Sequence, residues 1–318
     1  MMVRRVSLFI FISVLYSGIK AQQRQMYTQF MYNKLSVNPA FSGNDRHTCM
    51  TLIYRDQWRG FPGAPKATQF SINLPRVGNH LGFGFNVEHQ SIGITQKTTI
   101  EGAYGYKFRL AEGELSMGMN ISGRQYIQDF RDPRLFAIQG LEPDPAIPAD
   151  VMTRRVFNTG FGIYYNTNLM FFGASMPRLI RSDLDFDTNN FFSSEVRHLL
   201  VMGGGSIAIE KDLRITPHVL VKWAEQSPFS LDLHTSLIFK DKYAGGLTYR
   251  TGDGPGDYGE SIDLVFTFQV SDRMMIGFAH DITLSKIRVA DNGSLEMILN
   301  YCFLPRKMKT VMVNPRYF

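Results

Sequence analysis

The chain has 318 residues, two cysteines, a formal charge of +6 and 13% aromatic residues, in a background that is 44% hydrophobic and 19% charged. The two cysteines form no C-x-x-C pair, so a zinc site is not supported, and arginines and lysines do not interleave with aromatics as on a nucleic-acid surface. Beyond the first residues no stretch approaches the roughly 18–20 apolar residues of a membrane-crossing helix.

Residues 1–21 read as a secretory signal. Arg4 and Arg5 form a basic start, Val6–Tyr16 an apolar run too short to span a bilayer, and Ile19-Lys20-Ala21 a cleavage site before Gln22. Removing Arg4, Arg5 and Lys20 takes the charge from +6 to +3. Much of the remaining excess sits at Arg306, Lys307, Lys309 and Arg316, which marks residues 304–318 as a basic tail and a candidate docking element. Residues 22–47 carry Tyr27, Phe30, Met31 and Leu35 at a helix-like spacing that ends at Asn38-Pro39. This segment is expected either to plug a barrel or to lie in the periplasm.

From residue 48 to 303 the pattern changes to short runs with an apolar residue at every second position. Leu81, Phe83, Phe85 and Val87 form one such stripe. Others are Tyr104, Tyr106, Phe108 and Leu110; Leu115, Met117, Met119 and Ile121; Ile262, Leu264, Phe266 and Phe268; and Leu295, Met297, Leu299, Tyr301 and Phe303. In a membrane strand this phase places one set of side chains in lipid and the other in the lumen. The connections alternate in length. Tiny ones at 111–114, 166–168, 210–212, 240–242 and 271–273 alternate with longer ones, up to the proline- and acid-rich stretch between Tyr126 and Arg155. Short turns on one side and long loops on the other are the sequence signature of an outer-membrane β-barrel. The expected fold is therefore all-β: a transmembrane antiparallel barrel of about fourteen strands with both ends on the periplasmic side.

Cys49 and Cys302 open the first strand and close the last. Barrel closure brings these strands together, so a disulfide is one reading; two buried free thiols is the plainer one. No nucleophile elbow accompanies the seven scattered histidines. His280-Asp281 is the one pair worth inspecting for catalysis, and no enzymatic role is expected. Asp183, Asp185 and Asp187 alternate in an outer loop but lack the sharp glycine turn and closing glutamate of a calcium loop. No metal or cofactor is expected.

Several segments resemble the PorP/SprF family of type IX secretion system outer-membrane proteins. They are Tyr27-Thr-Gln-Phe-Met-Tyr-Asn33, Asn38-Pro-Ala-Phe-Ser-Gly43, Tyr54-Arg-Asp-Gln-Trp-Arg-Gly-Phe-Pro-Gly-Ala-Pro-Lys66, Leu81-Gly-Phe-Gly-Phe85 and Thr159-Gly-Phe-Gly-Ile-Tyr-Tyr165. The resemblance implies a fatty-acid-transporter-like barrel working in protein secretion. Its partners would be outer-membrane lipid, with periplasmic ring and lipoprotein components or a secreted cargo protein such as a gliding adhesin. Candidate partner-binding residues are Asn38, Pro39, Trp58, Phe61, Arg306, Lys307, Lys309 and Arg316. Transport of hydrophobic small molecules is the competing function.

Overall fold

The computed structural model describes residues 27–132, 150–183, 194–225, 229–251 and 259–304. The signal segment, the basic tail residues Arg306, Lys307, Lys309 and Arg316, Asp185 and Asp187, and most of the proline-rich loop lie outside the described residues.

Fourteen strands make one closed antiparallel ring. In chain order they are β1 (Cys49–Asp56), β2 (Lys66–Asn73), β3 (Leu81–Ile92), β4 (Thr95–Leu110), β5 (Gly113–Asp129), β6 (Val151–Asn166) and β7 (Met170–Met176). There follow β8 (His198–Gly205, resuming after Ser206 as Ile207–Glu210), β9 (Leu213–Ala224), β10 (Ser230–Phe239), β11 (Tyr243–Arg250), β12 (Ser261–Ser271), β13 (Met274–Thr283) and β14 (Ser294–Cys302). β1 pairs with β14, in register from Cys49 opposite Cys302 to Asp56 opposite Leu295. Every strand thus has two neighbours, which is how a sheet satisfies its main chain inside a bilayer.

The expected stripes face outward. Phe83, Phe85, Tyr104, Met117, Phe161, Phe266 and Met297 are exposed on the barrel's outer surface, while their chain neighbours point into the lumen and are mostly buried. Most short turns lie at the end where β1 begins and β14 stops, and most longer loops at the other. The exceptions are the tight turn at 93–94 on the long-loop end and the connection 74–80 on the short-turn end. In outer-membrane barrels the short-turn end is periplasmic.

Two expectations need correction. Residues 27–47 are not helical along the Tyr27–Leu35 spacing. They form three short 3-10 turns, Phe30–Tyr32, Lys34–Ser36 and Pro39–Phe41, because polar side chains of the segment and of the wall repeatedly engage its main chain. Asn38, for example, caps the last turn by accepting from the Ala40 N–H at 2.9 Å. Secondly, β5 and β6 run further than their apolar stripes, to Asp129 and from Val151, so the outer connection between them is shorter than the sequence pattern implies. Main-chain pairing continues there without lipid to enforce an apolar face.

Candidate functional site: the filled lumen

The N-terminal segment crosses the interior from the long-loop half toward the periplasmic end, and the lumen wall meets it in three ways. The first is charge. Glu296 on β14 accepts the main-chain N–H groups of Thr28 (2.9 Å) and Gln29 (2.8 Å). Arg55 on β1 donates to the same carboxylate (3.1 Å), to Asp281 (2.9 Å) and to the Thr28 hydroxyl (2.9 Å). Thr28 in turn donates to Asp263 (2.9 Å), while Arg250 bridges toward Thr28, Asp232 and Asp263. Lys222 completes the set on Asp232 at 2.8 Å. All these charged groups are buried, so each depends on its partners for compensation. They come from β1 and β14 as well as β9–β13, which means that the upper end of the segment straddles the seam where the barrel closes.

The second contact is shape. Gly82, Gly105, Gly118 and Gly162 lie directly opposite one another across β3, β4, β5 and β6 and face inward. Asn38-Pro39-Ala40-Phe41-Ser42-Gly43 lies along this row. A Cβ on Gly118 would stand 2.5 Å from Ala40 Cα, and one on Gly82 would stand 2.1 Å from the Ser42 carbonyl oxygen. Both obstacles are main chain and cannot swing aside. Only glycine allows backbone to approach backbone this closely. Asn38 anchors the far end by donating to the Ile163 carbonyl at 2.8 Å, and Asn73 and Arg76 hold Gly43 through its N–H (2.8 Å) and carbonyl (3.1 Å).

The third contact is apolar. Phe30, Met31, Leu35, Val37, Ala40 and Phe41 bury against Ala103, Tyr164, Phe171, Leu200, Met202 and Leu220. Among the described residues the largest hydrophobic cluster therefore lies inside the barrel. Lys34 is enclosed there, its ammonium 4.3 Å from the Phe171 ring centre. Burial pushes its pKa down to about 7, against the pull of Asp45.

The remaining sequence-derived candidates fall in different places. Asn38 and Pro39 are buried in the lumen and hold the segment, offering no surface to a partner. Trp58 and Phe61 lie in the long-loop connection after β1. Trp58 is half-buried, with its main-chain N–H on Ser294 Oγ at 3.2 Å, and Phe61 is exposed. That loop is tied by main-chain hydrogen bonds to both neighbours, Arg59 to Gly293 and Gly93 to Gly63, so the tryptophan motif extends the sheet above the seam. Cys49 and Cys302 are joined by a disulfide bond at the periplasmic end of the same seam. His280 and Asp281 face opposite sides of β13, one outward and one into the lumen, and do not converge. Sequence reasoning missed the charged set around Thr28. Its signal was present: Arg55, Asp232, Arg250, Asp263, Asp281 and Glu296 all fall out of phase with the apolar stripes.

A closed barrel with a lipid-facing apolar surface and an internal N-terminal segment defines the class as an outer-membrane β-barrel with a filled lumen. The family model for the type IX secretion system membrane protein PorP/SprF matches residues 19–301, and the chain belongs to that family. It is thus an outer-membrane component of type IX secretion. No curated protein matches it in sequence. Among solved structures it is similar to Omp33 of Acinetobacter baumannii (7% identity, 82% of this chain and 100% of that one, TM-score 0.48). It is likewise similar to a FadL homologue of Pseudomonas aeruginosa (10% identity, 91% and 96%, TM-score 0.48) and to the CymD monoaromatic hydrocarbon channel (10%, 91% and 96%, 0.47).

Proposed function

We propose that this protein is a closed scaffold of the type IX secretion system, which binds secretion machinery at its periplasmic end and secreted cargo at its outer face, for export or surface attachment. The observation that supports this reading is the filled lumen. Residues 27–43 are fixed by charge near the outer end, by apolar contact midway and by glycine-row contact toward the periplasm. A polypeptide or solute would have to displace a core, so the useful surfaces are the two rims. Adhesins of gliding cells are one cargo class that fits, and the tail residues Arg306, Lys307, Lys309 and Arg316 are the proposed periplasmic contacts. No catalytic role is proposed.

Two measurements test this. Reconstituted in planar bilayers, the wild-type barrel is expected to be silent; steady conductance, or uptake of hydrophobic small molecules into vesicles, would favour the transporter reading. A tagged copy from gently solubilised outer membranes is expected to bring down periplasmic ring and lipoprotein components or a secreted protein. A barrel that comes down alone would end the scaffold reading.

A further inference from the structure

Strand length sets how deep a turn sits. β10 and β11 have 10 and 8 residues, no more than the roughly 9–11 that a tilted strand needs to cross a membrane. The turn that joins them therefore lies at the lipid boundary on the short-turn side, not beyond it. At this level the outward-facing Phe239, Tyr243 and Phe268 stand side by side on β10, β11 and β12, with the Tyr243 and Phe268 rings 5.2 Å apart. They end the apolar stripes that contain the exposed Leu237 on β10 and Phe266 on β12.

Two lysines are laid over this row. Lys240 Nζ stands 5.1 Å from the Phe239 ring centre. Lys242 Nζ stands 5.6 Å from that of Tyr243 and 5.4 Å from that of Phe268. The central residues of the turn, Lys240 and Asp241, both have a φ of 52°, the left-handed region that such hairpin turns usually give to asparagine or glycine. For lysine that conformation carries a steric cost.

The carboxylates of this rim are placed elsewhere. Asp241 pairs with Arg214, which stands on the lumen-facing phase of β9. Glu210, Asp212 and Asp272 lie on the two flanking turns, next to Lys211 and Arg273. Cations and carboxylates are thus nearly equal in number here, and position separates them. Among the described residues no carboxylate comes within ion-pair distance of Lys240 or Lys242.

An ammonium laid on an aromatic ring covers apolar surface with its stem and keeps its charge at headgroup level. We infer that Lys240 and Lys242 form a binding site for the phosphate of an anionic phospholipid in the periplasmic leaflet, whose acyl chains lie along Leu237 and Phe266. A net-anionic headgroup fits, because a zwitterionic one brings an ammonium of its own to the same phosphate. This site needs neither the cargo nor the machinery contacts proposed above.

The test is native mass spectrometry of the full-length protein in detergent supplied with equal amounts of phosphatidylglycerol and phosphatidylcholine. We expect the barrel to retain phosphatidylglycerol in preference. Lys240→Gln with Lys242→Gln should lower that retention about ten- to thirtyfold. Lys240→Arg with Lys242→Arg should keep it, and Lys286→Gln at the opposite rim should change nothing. All three variants should keep the heat-modifiability of the folded barrel. Equal retention of the two lipids, retention unaffected by the glutamine pair, loss in the arginine pair as well, or equal loss in Lys286→Gln would each overturn the site. Release of the lipid by inorganic phosphate at millimolar concentration would also overturn it, by marking a site for the free ion.

Discussion

The two walls that grip the N-terminal segment do so by different physics. The β3–β6 wall holds residues 38–43 by the absence of side chains: of four aligned glycines, Gly82, Gly105 and Gly118 let main chain lie on main chain, and Gly162 makes room for the Asn38 side chain. The β10–β14 and β1 wall holds residues 28 and 29 by charge, through a carboxylate on two adjacent N–H groups and arginines that balance it. A steric seat tolerates no intrusion, because repulsion rises over tenths of an ångström. A charged clamp yields by degrees, since hydrogen bonds can lengthen and charge can be compensated elsewhere.

That contrast is open to attack, starting with the largest effect. Gly118→Val should unseat the segment and turn a silent barrel into a conducting one in planar bilayers. Gly102→Val on the neighbouring strand β4, where an added Cβ meets nothing within 4 Å, should not. Equal behaviour of the two would remove the glycine row as a seat.

Glu296→Ala strands Arg55 as a buried charge short of a partner and should cost about 3–5 kcal/mol. Its signature is faster hydrogen exchange at Thr28 and Gln29 with residues 38–43 still protected. Loss of protection along the whole segment would mean that the two walls act as one.

Replacing Cys49 and Cys302 by serine releases the covalent tie on the seam and should cost about 2–4 kcal/mol, seen as a lower unfolding temperature in detergent. Because the disulfide touches the charge-bearing seam and not the glycine row, the plug should stay in place and the barrel should stay silent.

The smallest effect belongs to Lys34, faced by Asp45 and His218. Its folded pKa of about 7 lies below the unfolded value of about 10.4. The native state therefore binds fewer protons than the unfolded one between those values, and stability from this group rises as pH climbs from about 7 to about 10. Below pH 7 the penalty of burying the charge is fully present. Lys34→Met should raise the melting temperature at pH 6 and flatten this slope, which melting curves at pH 6 and pH 9 would check.

Much of the barrel was legible from the chain alone. Lipid acts on every outward side chain separately, so Phe83, Met117 or Phe266 announce their face through nearest neighbours, and two-residue connections such as Ala111-Glu112 announce a turn without reference to anything distant. The segment that fills the lumen was not legible in this way. Its apolar spacing suggested a helix, yet its conformation answers to wall residues far along the chain: Thr28 to Glu296, Asn38 to Ile163, Ala40 to Gly118. Gly82, Gly105, Gly118 and Gly162 are unremarkable in sequence and become a seat only when register sets them side by side. The sequence by itself determined the barrel, its strand count and its lipid face, because those follow from local alternation against one solvent. Tertiary structure alone decided what occupies the interior and how the wall grips it, because both depend on contacts between strands that the chain brings together only by closing.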